Sequence, residues 1–265
     1  MPETPDEPEV ITERRDAVLV VRINRPAKRN ALNGAVMAGI GRAIGEADAT
    51  PDVRAVVLTG TGDRSFCAGM DLAAFAGGDL APSEDDKAHM ATFGRFMSRG
   101  EAATPVIGAA QATALAGGFE LLMACDLVVA AADARFGLPE VKRGLFAAGG
   151  GMFLSRRIPL AKALELTLTG DPIDAAEAVR LGLINAAVPA AEVLDAAVAL
   201  AERVAANGPL GVQATKELLR RAAFEPAAEV WARHAELQAS VFASEDAREG
   251  SMAFVEKRTP VWRGR

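Results

Sequence analysis

Residues 17–24 (AVLVVRIN) and 53–60 (VRAVVLTG) are short β-branched runs, the first closed by Arg25-Pro26 and the second by a glycine-rich turn, TGTG at 59–62. Between them Val36, Ile40 and Ile44 recur at fourfold spacing, which lays an apolar stripe along a helix over residues 33–49. The same order returns further on: residues 104–110 (TPVIGAA) read as extended, 118–124 as helical and 127–132 (LVVAAA) as extended again. A chain that alternates in this way has few packing solutions. The pattern predicts the α/β class, a mostly parallel sheet with covering helices.

Past the glycines at 149–151 the pattern changes. Residues 152–157, 161–168 and 175–181 read as helices, the last with Asp174 as N-cap, and residues 184–188 as extended. From 191 to 248 the chain reads as almost wholly helical, and a boundary is expected near 207–209 (NGP). The late helices have modest stripes, such as Leu218-Leu219 and Val230-Trp231, which need the first domain or another subunit to cover them. Residues 1–10, acidic and proline-rich without a basic, apolar signal, are expected to form a flexible leader. With no long uninterrupted apolar stretch, no transmembrane helix is expected and the location is read as cytoplasmic.

The 265 residues carry 29 Lys and Arg against 35 Asp and Glu, a formal charge of −6. This balance disfavours a general nucleic-acid or acidic-membrane binder, and Arg14-Arg15 and Arg220-Arg221 read as solvated faces. Cys67 and Cys125 sit among small and apolar residues and read as reduced, packed thiols. His89 and His234 have no nucleophile–base context, Gly-X-Ser-X-Gly is absent, and neither a metal cluster nor a dinucleotide fingerprint is found. His89, in the polar stretch 83–89, reads as a surface residue of a mobile flap.

Glu120 and Glu140 are the best candidates for chemistry. Each follows a segment suited to exposing backbone beside a pocket, AGGFE at 116–120 and FGLPE at 136–140. Two carboxyls in one cleft can divide proton transfer, one ionised and the other kept protonated by burial or by its neighbour. Small residues in 65–72 (SFCAGMDL) and the glycines opening the helix at 117 could offer N–H groups to an oxygen that becomes negative, as an oxyanion hole does. Taken singly, a glycine pair at a strand-to-helix turn serves packing, and a glutamate there caps or pairs. Spacing alone also leaves a glycosidase or an ion-paired core open.

Segments 65–72, 116–121 (AGGFEL, followed by Cys125-Asp126) and 136–144 (FGLPEVKRG) together resemble the three signature segments of the crotonase family, the enoyl-CoA hydratases and isomerases. Residues 24–32 (NRPAKRNAL) resemble its first coenzyme-A contact segment, and 244–265 its C-terminal end. The ending and the GFEL segment also resemble carnitinyl-CoA dehydratase-like members. The resemblance implies a spiral core of repeated ββα turns over 11–206 and a helical segment over 207–265 that assembles trimers, often paired into hexamers. It further implies a thioester oxygen held by the backbone N–H groups of Met70 and Gly117, water activated by Glu120, and a proton exchanged at the α-carbon by Glu140. The product of water addition to a trans-2-enoyl-CoA would be a 3-hydroxyacyl-CoA. For the ligand it points to Lys28, Ala68, Asp71, Leu72, Phe254 and Lys257. No cofactor is implied, coenzyme A entering with the substrate.

Three positions depart from the pattern of many fatty-acyl hydratases: Ala73 stands where a Lys is frequent, Met70 where Ala is common, and 145–152 (LFAAGGGM) lacks the usual Pro and Thr-Gln. A different acyl preference follows. The alternatives are a dehydratase or isomerase of an unusual acyl-CoA and a non-catalytic acyl-CoA-binding protein, against which both glutamates speak.

Overall fold

The computed structural model describes residues 8–78, 80–81 and 83–265. Two strands, β1 (Val10–Arg15) and β2 (Val18–Ile23), form an antiparallel hairpin, and helix α1 (Gly34–Ala49) leads to β3 (Ala55–Gly60). Then come α2 (Leu72–Gly77), α3 (Lys87–Arg99), β4 (Val106–Ala110), β5 (Ala114–Leu115), α4 (Gly117–Ala124), β6 (Leu127–Ala131) and β7 (Arg135–Gly137). The chain continues with α5 (Leu160–Thr169), β8 (Ile173–Asp174), α6 (Ala175–Arg180), β9 (Ala186–Val188) and α7 (Val193–Ala205). Helices α8 (Pro209–Phe224), α9 (Ala227–Phe242) and α10 (Glu245–Glu256) complete it.

The main sheet has the order β1-β2-β3-β4-β6-β9 and is parallel from β2 onward. Every residue of β3 and β4 is buried, which is why those strands read as unbroken apolar runs and not as alternations. Helix α7 lies across β3, β4 and β6, α1 packs against β1 to β3, and α3 runs along α1. Asn33 caps α1, its Oδ1 accepting from Val36 N–H at 2.9 Å, and Asp174 caps α6 by accepting from Glu177 N–H at 2.8 Å. The helix expected over 152–157 is instead a 3-10 turn, Gly151–Arg156, with Arg157 as its cap.

A second sheet, β5-β7-β8, went unseen in the sequence because strands of two or three residues carry no period. It explains the architecture. Cys67 bridges Ala114 in parallel, and Leu115 pairs with Gly137, so the residues after β3, after β4 and after β6 all pass through this sheet side by side. A strand of the large sheet, a strand position of the small one and a helix therefore repeat along the chain, as the expected spiral does. Segments 68–71, 116–120 and 138–140 each leave the small sheet at the same end of successive turns.

Of the expected leader, residues 1–7 lie outside the described residues, while the rest is held. Val10 opens β1, Glu9 carbonyl accepts from Asn24 N–H at 2.7 Å, and the Glu9 carboxylate pairs with Arg25 at 2.7 Å. His89 lies in α3, half-buried where that helix crosses α1 at Gly41, so it belongs to a packed helix and not to a mobile flap. Neither α8 nor α9 has a buried residue. Charge holds the middle of α8: Asp126, whose Oδ2 accepts from Val106 N–H at 2.8 Å, pairs with Lys216 at 2.7 Å and Arg220 at 2.8 Å, and at the helix end Phe224 stands edge-on to Phe153. Arg220, expected on a solvated basic face, is thus part of the joint to the body, and Arg221 pairs with Glu217 and Glu225. The C-terminal tail laces back, Trp262 Nε1 donating to Ala206 O and Asp246 accepting from Arg263 and Gly264 N–H. No described helix is long and apolar enough to cross a membrane.

Candidate active site

The turn after β3 and the start of α4 bring two backbone amides together. Gly69 has φ +90°, a conformation that glycine tolerates best, and the next residue is Met70. Ala116, the residue before Gly117, has φ +52° and ψ −133°, a strained backbone for a residue with a side chain. A methyl placed on Gly117 would stand 3.7 Å from the Met70 nitrogen, and one on Gly69 would stand 3.0 Å from the Gly117 nitrogen. Among the described residues neither amide has an acceptor. Two unpaired donors at one point, one of them at a helix N-terminus, favour an atom that is or becomes negative.

One turn into α4, Glu120 is 4% exposed. Its Oε1 accepts from Gly149 N–H at 2.9 Å and Gly151 N–H at 2.8 Å, which leaves Oε2 as the oxygen that can face a ligand. Burial pushes its carboxyl above the ordinary value, and the backbone amides of 149–151 oppose that rise by favouring the ionised form. The 149–151 turn was noted in the sequence only as a change of character and a departure from a motif. Its role in seating Glu120 was missed, and three consecutive glycines were the available signal. A side chain at Gly149 would meet both Glu120 Oε2 and Met97 Cε at 2.9 Å, so it would displace the ends of both side chains.

Glu140 lies in the 3-10 turn Pro139–Arg143, on the segment following β7, and is half-buried. Its Oε2 is buried with no hydrogen-bond partner. Burial raises its pKa first and the charge of Glu120 pushes the same way, while its own backbone amide and Arg143 oppose. The effect of Glu120 on Glu140 places the two carboxyls in one electrostatic neighbourhood. A single buried oxygen without a partner, next to a second carboxyl, is a group prepared to hold or release a proton.

The other expected positions divide into two sets. Ala68 N–H donates to Arg29 O at 3.1 Å and Leu32 bridges Met70, so Ala68, Asp71, Leu72 and the exposed Lys28 share one rim beside the two amides. The Asp71 carboxylate is taken up within the protein, accepting from Ala73 and Ala74 N–H as the cap of α2 and pairing with Arg25 at 3.1 Å. Phe254 is 85% exposed on α10, a helix that packs on α9, and Lys257 ends that helix, so a single chain does not fold them onto this rim. Cys67 and Cys125 are unpaired, and burial pushes both thiols up to about 12, far from a nucleophile's range. Two hollows of about 1090 and 830 Å³ lie between α8–α10 and the body, and neither is lined by Glu120 or Glu140.

The profile of the family described as enoyl-CoA hydratase/isomerase matches residues 13–265. The enoyl-CoA hydratase EchA19 of Mycobacterium tuberculosis is 40% identical over 268 residues, 97% of each chain. The carnitinyl-CoA dehydratase of Proteus mirabilis is 38% identical over 256 residues, 95% of this chain and 97% of that one. A crystal structure of an enoyl-CoA hydratase from Mycobacterium tuberculosis superposes with a TM-score of 0.89 at 45% identity, covering 98% of this chain and 100% of its own.

Proposed function

The chain belongs to the enoyl-CoA hydratase/isomerase family, and from that premise we propose that it is a hydro-lyase adding water reversibly to a trans-2-enoyl-CoA. The observation that carries this reading is the convergence of the unpaired Met70 and Gly117 amides beside two carboxyls whose pKa burial raises from the ordinary value. The β-carbon of an enoyl thioester becomes electrophilic only when its carbonyl is polarised, and the two amides supply that polarisation. Glu120, its Oε1 seated by the Gly149 and Gly151 amides, takes a proton from water through Oε2 as the hydroxyl bonds to the β-carbon. The π electrons move to the thioester oxygen, giving an enolate that Met70 and Gly117 stabilise. Glu140, whose environment favours the protonated form, delivers its proton to the α-carbon, and the thioester carbonyl re-forms. The Glu120 proton then returns to Glu140 by exchange through water, and the 3-hydroxyacyl-CoA leaves.

Lys28, Ala68, Asp71 and Leu72 form the rim that receives coenzyme A, with Asp71 shaping the rim through its cap on α2. Leu219, Trp231, Phe242, Phe254 and Val255 stand exposed along α8–α10, which supports assembly into a trimer or a pair of trimers. Assembly would let α10 of one copy present Phe254 and Lys257 to the rim of another. The similarity to carnitinyl-CoA dehydratase at 38% identity supports a second reading, removal of water from a hydroxylated acyl-CoA by the same groups in reverse. Purified protein assayed on crotonyl-CoA and on longer, branched and hydroxylated acyl-CoAs decides between them. Loss of enoyl absorbance with crotonyl-CoA is the expected result. Inactivity on all simple enoyl-CoAs, with turnover of a hydroxylated substrate, overturns the first reading in favour of the second.

A further inference from the structure

Asn30 touches neither carboxyl, yet it is 0% exposed and has φ +55°, a conformation Asn adopts more readily than most residues. Its carboxamide is fully engaged. Oδ1 accepts from Arg25 N–H at 3.0 Å, and Nδ2 donates to Thr61 O at 3.0 Å and to Ser65 O at 2.8 Å. Thr61 and Ser65 bound the turn from which the chain runs to Met70. The residues after Asn30 lie along that same stretch: Leu32 N–H donates to Gly69 O at 2.8 Å, and Asp71 N–H donates to Leu32 O at 2.8 Å. In a parallel bridge the residue between the two bonded ones directs its own N–H away from the partner strand. Leu32 thus turns the Met70 N–H away from itself, toward the side where Gly117 stands.

We propose that Asn30 is a positioning residue for the oxyanion donor: by stapling the 61–65 turn to the 29–32 splint, it fixes the direction of the Met70 N–H. Gln111, arriving from the end of β4, supports the same point, its Nε2 donating to Ser65 O and Gly62 O at 3.1 Å each. The inference rests on the reading of Met70 and Gly117 as the thioester's partners. Asn30→Asp is the discriminating change. It keeps the size, the tolerance of positive φ and the acceptor for Arg25 N–H, and it replaces two donors by an oxygen facing two carbonyl oxygens.

The test combines hydration kinetics with the absorption spectrum of a bound conjugated thioester such as cinnamoyl-CoA, whose band moves to longer wavelength as its carbonyl is polarised. Wild type should shift the band. Asn30→Asp should still bind but lose most of the shift, with kcat down roughly 100-fold, as expected for a misplaced reacting geometry, and KM changed far less. Gln111→Glu should do the same to a smaller degree, and it carries the test if Asn30→Asp does not fold. A lowered melting temperature with the band shift and kcat intact reduces Asn30 to a packing residue and overturns the proposal. Absence of the shift in wild type with ligand bound instead overturns the oxyanion reading, and the role of Asn30 with it.

Discussion

Glu120 and Glu140 stand on successive turns of the spiral, one after β5 and the other after β7, yet the protein seats them in opposite ways. Glu120 is gripped at Oε1 by two backbone amides and buried, while Glu140 is half-buried with Oε2 unpartnered. Burial raises both carboxyls, but only in Glu120 do backbone amides from another segment counter it. Equivalent places in an architecture therefore do not give equivalent surroundings. The difference comes from the 149–151 turn, which reaches the Glu120 carboxyl with two amides.

The largest effect should come from removing either proton carrier. Glu120→Gln and Glu140→Gln should each lower kcat by about 1000-fold, within the range of general acid–base catalysis, with acyl-CoA binding retained by calorimetry. A variant with unchanged kcat would remove that glutamate from the mechanism. A smaller loss, about 30-fold in kcat, should follow Gly149→Ala, because the added methyl presses on Glu120 Oε2 and Met97 and shifts a reacting group. If that variant matches wild type, the seat of Glu120 does not set its reach.

Stability should separate the two seats next. Glu120→Leu leaves the Gly149 and Gly151 N–H groups without an acceptor and should cost about 2 kcal/mol by denaturant titration, whereas Glu140→Leu, which removes an oxygen with no partner, should cost nothing. Equal losses would erase the distinction. The smallest effect concerns pH. Both groups bind protons more tightly in the folded state, so their contribution to stability is fully present below the ordinary glutamate pKa and is lost as pH rises through the raised values. The double Gln variant should lack that fall in a series of melts from acid to neutral pH, and persistence of the full slope would assign it to other groups.

Much of this was readable in the sequence, for reasons that differ by residue. The β3 and β4 runs and the α1 stripe report burial directly, and the motifs around Met70, Gly117, Glu120 and Glu140 carry their own backbone chemistry. The small sheet was not readable, since two- and three-residue strands are defined by their neighbours. The hold of 149–151 on Glu120 depends on amides, which no residue type announces. The position of Arg220 was misread because a charged residue on a helix looks solvated until its partner, Asp126 at 94 positions' remove, is folded beside it.

That joint at Asp126 has a further consequence. Helix α8 is anchored by Lys216 and Arg220 on one carboxylate, and burial pulls the Lys216 ammonium down from its ordinary value even as Asp126 supports it. Helices α9 and α10 continue outward from there, with no buried residue in α9 and few in α10. The helical end is thus joined to the body through few buried side chains, by the Asp126 pairs, the Phe153–Phe224 contact and the Trp262 bond to Ala206 O. In an isolated chain the amides of α9 will exchange with deuterium through openings much smaller than global unfolding, while those of β3 and β4 wait for the whole body to open.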